Sequence, residues 1–170
     1  MFDNTHLATA LLEPLETTVV AGSAAPAAIR DFFKSGNGVR FSSIFGEFKS
    51  RFFDKIEKAR PDVAYRKYRL LSIAPDSPII SELGGEDQVE GSVAAALALV
   101  RQQGRGERGF LQTNGYANIF YARDRKGALC AIRIGWAEDG WVLDAIPVKD
   151  PVAWNGKHEI FCPVSGLTAG

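Results

Sequence analysis

The run Gly104-Arg105-Gly106-Glu107-Arg108-Gly109 has the glycine spacing G-x-G-x-x-G. That spacing binds a dinucleotide when a strand leads in and a helix leads out, because the pyrophosphate then meets the positive end of the helix. Here the order is reversed: a helical pattern ends at Gly104 and an extended one follows. A phosphate would face the negative end of a helix, so the run reads as a helix cap and connector. Arg101, Arg105 and Arg108 still offer a polyanion contact, with Glu107 among them. P-loop, G-x-S-x-G and H-E-x-x-H patterns do not occur. His6 and His158 are the only histidines, and spacing supplies neither with an orienting partner. Cys130 and Cys162 lack the close ligand pairs of a zinc site and would bridge only if their strands were adjacent. No metal and no cofactor is expected.

One polar constellation emerges from strand register. Trp136 opposite Trp141 places Ile134 against Leu143, Ile132 against Ala145, and Arg133 directly opposite Asp144. All the apolar partners fall on one face and the opposite charges on the other, so a slip of one residue would mix the faces. The turn Ala137-Glu138-Asp139-Gly140 joins the two strands. A second turn, Asp124-Arg125-Lys126-Gly127, sets Ile119 against Arg133, Phe120 against Ile132, Tyr121 against Ala131 and Ala122 against Cys130. Tyr121, Arg133 and Asp144 thus share the second sheet face and form the candidate ligand-binding site. The plainer reading is an Arg-Asp pair that holds register.

The elements that position these residues follow from periodicity. Asp87 with Glu90 resembles a capping box, and Val89, Val93, Leu97 and Val100 recur along one face up to Gly104. This predicts one buried helix over about 87–103, packed on the Ile132/Ile134/Leu143 face. Upstream, Thr5 can cap a helix through Leu12 that stops near Pro14, and Glu16 to Val20 is extended. Ser23 starts a helix to about Lys34, or 21–28 is a linker. Ser42 or Ser43 caps a helix to about Arg60, with Phe45, Phe48, Phe52 and Ile56 as its stripe. Tyr65 to Ala74 reads as a strand and Pro75-Asp76-Ser77-Pro78 as a turn or loop before Ile79-Ile80. Asn114-Gly115 and Asn155-Gly156 are hairpin signals, the latter folding Val152–Trp154 back on Lys157–Phe161. Trp136, Trp141 and Trp154 read as core and hairpin-end packing rather than a base-stacking platform.

The fold class is therefore α+β: N-terminal helices and the long helix over about 87–103, against an antiparallel meander over about 109–162. Residues 1–170 form one domain, with a helical half to about 104 and a sheet half from 105. Lys plus Arg and Asp plus Glu balance at 20 each, so the chain as a whole does not attract phosphate backbones or acidic membranes. No apolar run spans a bilayer and no basic leader precedes one, which suits a cytoplasmic protein. The leading functional expectation is a non-catalytic module that binds a protein partner or a small polar ligand. One alternative is an enzyme with its site at Tyr121, Arg133 and Asp144. The other is a nucleic-acid-associated protein using the basic and aromatic segment 49–69, in which Asp54, Glu57 and Asp62 oppose the cations.

Overall fold

The computed structural model describes residues 10–34, 36–150 and 152–164. In chain order the elements are β1 (Leu12–Val20), β2 (Ala27–Ala28), a 3-10 helix (Ile29–Phe33), β3 (Phe41–Ile44), α1 (Gly46–Phe52), β4 (Ile56–Glu57), β5 (Val63–Leu70) and β6 (Ala74–Pro75). Then come α2 (Asp76–Glu82), α3 (Glu86–Val89), α4 (Val93–Gln102), β7 (Asn118–Arg123), β8 (Leu129–Ala137), β9 (Gly140–Pro147), β10 (Ala153–Trp154) and β11 (Glu159–Pro163). Seven strands form a mixed sheet in the order β1-β5-β11-β7-β8-β9-β3.

The architecture is α+β, with helices on a central sheet, but the expected antiparallel meander over 109–162 is not what forms. β7, β8 and β9 pair antiparallel in sequence, whereas β11 lies parallel to β7 and antiparallel to β5. β3 adds a second parallel edge beside β9. Nor is the first half helical, since β1, β3 and β5 all join the sheet. The helix expected from Thr5 begins outside the described residues, and Leu12 already starts β1. Pro14 does not stop this segment; it sits in an edge strand, where a missing N–H is tolerated, next to a register shift between Pro14 and Thr17.

Other differences have local causes. The segment from Ser23 makes only an isolated bridge to Arg60, the short ribbon β2 with β4, and the 3-10 helix. Ser42 and Ser43 lie in β3 rather than at a helix cap, and α1 ends at Phe52. Only Phe48 and Phe52 of the expected stripe are buried, while Phe45 and Ile56 are exposed. Pro75-Asp76-Ser77-Pro78 is not a turn or loop: Pro75 ends β6 and Asp76 opens α2, which also takes in Ile79 and Ile80. Asn155-Gly156 makes no hairpin, because Ala153 and Trp154 pair with Pro75 and Ala74 instead. Asn114-Gly115 also lies in a loop, with Gly115 at φ 93°.

The helix expected over about 87–103 is broken into α3 and α4. At the break the Gly91 N–H donates to Tyr121 O at 2.8 Å, leaving the helical ladder. A side chain on Gly91 would begin 2.3 Å from the Tyr65 hydroxyl oxygen. Ser92 then caps α4 by accepting from Ala95 N at 3.1 Å. Val93, Leu97 and Val100 pack as expected, sharing one core with Ile132, Ile134 and Leu143, joined by Phe48, Phe52, Phe120 and Phe161. Val89, expected on the same stripe, lies on the other side of the sheet because the chain breaks between α3 and α4. The opposite face holds a second core, in which Ile79, Ile80 and Val89 cover Ile119, Tyr121, Ala131 and Ile160. The sheet is thus covered on both sides at its centre.

Candidate functional site

The registers that define the second sheet face are those of the structure: Arg133 pairs with Asp144 and with Ile119, Tyr121 with Ala131, and Trp136 with Trp141. Gly127 takes the left-handed conformation at φ 87° that its turn requires. The turn at the hairpin end is tighter than four residues, because Ala137 and Gly140 still pair and only Glu138 and Asp139 form the loop.

The face divides into two environments. At the Tyr121 end, α2 and α3 cover it. Tyr121 is buried, and its hydroxyl donates to Asp76 Oδ1 at 2.7 Å. Trp154 Nε1 donates to the same oxygen at 2.7 Å. Burial raises the Asp76 carboxyl above its ordinary range, and burial with the neighbouring carboxylate raises the Tyr121 phenol well above its own. Tyr121 is therefore committed to an internal cluster. Its hydroxyl is not presented alongside Arg133.

At the other end the face is open. Arg133 Nη2 lies 3.9 Å from Asp144 Oδ2, with side chains 40% and 19% exposed. Asp144 Oδ1 accepts from Ala145 N at 2.8 Å. A separation of 3.9 Å is too long for a bidentate arginine–carboxylate hydrogen bond, so the guanidinium keeps donors for another acceptor. Arg133 lines a cavity of about 210 Å³ with Trp136, Val142, Gly135, Ala117 and His158. Nothing stands within 4 Å of where a side chain on Gly135 would begin, so the floor is open at that strand position.

His158 is the residue that sequence reasoning did not place here. The Ala117 N–H donates to His158 Nδ1 at 2.8 Å. An Nδ1 that accepts belongs to a neutral ring with its proton on Nε2. Burial and the positive charge of Arg133 both lower the His158 pKa, which favours that neutral form. The ring is held edge-on to Tyr116 and Trp154, at centroid distances of 5.8 and 6.0 Å. No short-range spacing links His158 to Arg133; β11 brings them together by running beside β7. His6 lies outside the described residues.

Neither cysteine offers chemistry. Cys130 and Cys162 are buried free thiols in the two opposite cores, and burial pushes each up to about 11. Among the described residues no cluster of three or more His, Cys, Asp or Glu is placed to hold a metal. No helix among them is long and apolar enough to cross a membrane.

The basic and aromatic segment 49–69 is dispersed over α1, β4 and β5, and several of its cations are engaged within the chain. Arg51 pairs with Glu47 and Asp124, Lys55 donates to Arg123 O and pairs with Glu57, and Arg69 pairs with Glu13. Lys67 is buried between Glu16, Glu159 and Phe110 O. Tyr65 is in the core, accepting from Ser92 N, and burial pushes its phenol up to about 12. The run 104–109 follows α4 as a loop, in which Gln103 donates to Glu107 O and Leu111 O and accepts from Leu111 N.

No protein-family model, curated protein or solved structure matches the chain. Fold and site together define an α+β domain with an arginine–histidine cavity at the open end of its sheet.

Proposed function

We propose that this chain is a non-catalytic binding module that takes a small carboxylate-bearing ligand in the cavity between Arg133, His158 and Val142. The observation that carries this reading is the convergence of two donors in one cavity. Arg133 contributes a guanidinium only loosely held by Asp144. His158 contributes a neutral ring whose acceptor nitrogen is already occupied by the Ala117 N–H. Both groups donate, so an acceptor-only anion complements them. Val142 and Ala117 supply apolar wall for the rest of the ligand. Benzoate combines a carboxylate with a flat apolar ring and is a suitable probe.

The test is a titration of the labelled chain with benzoate, followed by amide shifts. Saturable shifts at Gly115, Ala117, Gly135 and His158 are expected, with affinity at least tenfold weaker in Arg133→Ala. The same variant should unfold within about 1 kcal/mol of wild type, since half-exposed substitutions are tolerated at that level. Shifts that do not saturate, or that persist in Arg133→Ala, would overturn the reading.

A further inference from the structure

The turn leading into β3 is built from Gly36, Asn37 and Gly38. Gly36 and Gly38 have φ of 87° and 78°, and nothing lies within 4 Å of where a side chain on either would begin. The turn therefore presents bare backbone on its outer side. It is pinned from within: Asn37 Nδ2 donates to Phe32 O at 2.6 Å, and Asn37 Oδ1 accepts from Val39 N at 2.9 Å. The Arg40 N–H donates to Gly104 O at 2.7 Å. A Cβ on Gly104 would stand 2.2 Å from Gly38 O, so the two glycine-rich stretches touch backbone to backbone.

This contact brings Arg105, from the run 104–109, beside Arg40. Both arginines line one cavity of about 210 Å³ with the turn 36–38. Both are exposed, and neither has a carboxylate within ion-pair distance among the described residues. Glu107, the acid nearest in sequence to Arg105, accepts from the Arg105 backbone N–H at 3.0 Å instead. No hydrogen bond among the described residues uses the Gly36 or Gly38 N–H.

We infer that Arg40, Arg105 and the turn 36–38 form a subsite for a phosphate-type oxyanion, separate from the Arg133 cavity. Two guanidinium forks match the oxygens of a tetrahedral dianion better than those of a planar monoanion. Backbone amides in a left-handed turn add a concave set of donors. The glycine run thus acts without a helix N-terminus: Gly104 permits the close approach, and Arg105 delivers the charge. The ligand is either free phosphate or the phosphate of a monoester, and affinity separates the two.

The test uses the full chain at constant ionic strength, titrated separately with inorganic phosphate, phenyl phosphate and acetate. Saturable amide shifts at Gly36, Gly38 and Arg105 are expected with both phosphates. Affinity should fall at least tenfold in Arg40→Gln and in Arg105→Gln, and vanish in the double variant. Unchanged amide spectra away from the site establish that these exposed replacements fold. Phenyl phosphate binding tenfold tighter than phosphate would identify a monoester as the ligand; equal affinity would identify the oxyanion alone. Arg133→Ala should leave these shifts untouched, so failure here is distinct from failure of the carboxylate cavity. Acetate binding as well as phosphate, or wild-type affinity in the double variant, would overturn the inference.

Discussion

Asp76 Oδ1 accepts two hydrogen bonds, from Tyr121 and Trp154, while Asp76 Oδ2 is buried with none. Removing the carboxylate orphans two buried donors, so Asp76→Ala should cost roughly 2–6 kcal/mol in urea unfolding, at about 1–3 for each unsatisfied group. A loss under about 1 kcal/mol would mean that water replaces the acceptor. The raised Asp76 pKa gives a pH signature. Between the ordinary carboxylate range and the folded value, the folded state holds a proton that the unfolded chain has released. Stability therefore falls as pH rises through that window. His158 acts in the opposite sense: its lowered pKa means stability is lost as pH falls below the ordinary imidazole range. The wild-type minus Asp76→Asn difference should show the first slope, and wild type minus His158→Gln the second. The Arg133–Asp144 pair, at 3.9 Å and partly solvated, should couple by no more than about 1 kcal/mol in a double-mutant cycle. Its pairing is legible from sequence because the one short turn between β8 and β9 sets it. The Asp76 cluster is not, because its three members come from α2, β7 and β10.

At the scale of elements, α4 depends on a residue far from it in sequence. Glu57, in β4, accepts from Ser92 Oγ at 2.8 Å, Val93 N at 2.9 Å and Ala94 N at 2.8 Å. A carboxylate there satisfies free amides and faces the positive end of the helix. Glu57→Ala should cost roughly 2–4 kcal/mol, more than the ~1 kcal/mol of an ordinary cap such as Ser92→Ala. Equal losses in the two variants would show that Glu57 adds nothing beyond the serine. Gly91→Ala should cost about 1–3 kcal/mol by overpacking against the Tyr65 hydroxyl. These tertiary partners explain why a continuous apolar period over 87–103 does not give a continuous helix. Local periodicity identified the buried face of α4 but placed Val89 on it wrongly, since the break set by the Gly91 contacts with Tyr65 and Tyr121 O turns α3 to the other core. The stripe from Phe45 to Ile56 is shortened in the same way: Phe45 stands before α1 with its N–H donating to Leu143 O, and Ile56 pairs with Ala28 in β4.

At the scale of the molecule, the sheet order places one of the last described segments in its interior. β11 separates β5 from β7 and bonds to both, with Glu159 to Pro163 opposite Arg69 to Tyr65 on one side and Glu159 to Phe161 beside Asn118 to Phe120 on the other. Sequence patterning finds neighbours joined by short turns, such as β7, β8 and β9, but carries no signal for a strand that inserts between distant partners. Without β11, β1 and β5 share no ladder with β7, β8, β9 and β3. The core would also lose Phe161, stacked on Phe120 at 4.4 Å, together with Ile160. Lys67, buried among Glu16, Glu159 and Phe110 O, would lose one of its two carboxylates. A chain ending at Lys157 should therefore lose both the cooperative urea transition and the near-ultraviolet dichroism of its packed aromatics. Phe161→Ala in the full chain should instead remain cooperative while losing about 3–5 kcal/mol. A truncated chain that still unfolds in one sharp transition would show that α4 and its core hold the two parts of the sheet together without β11.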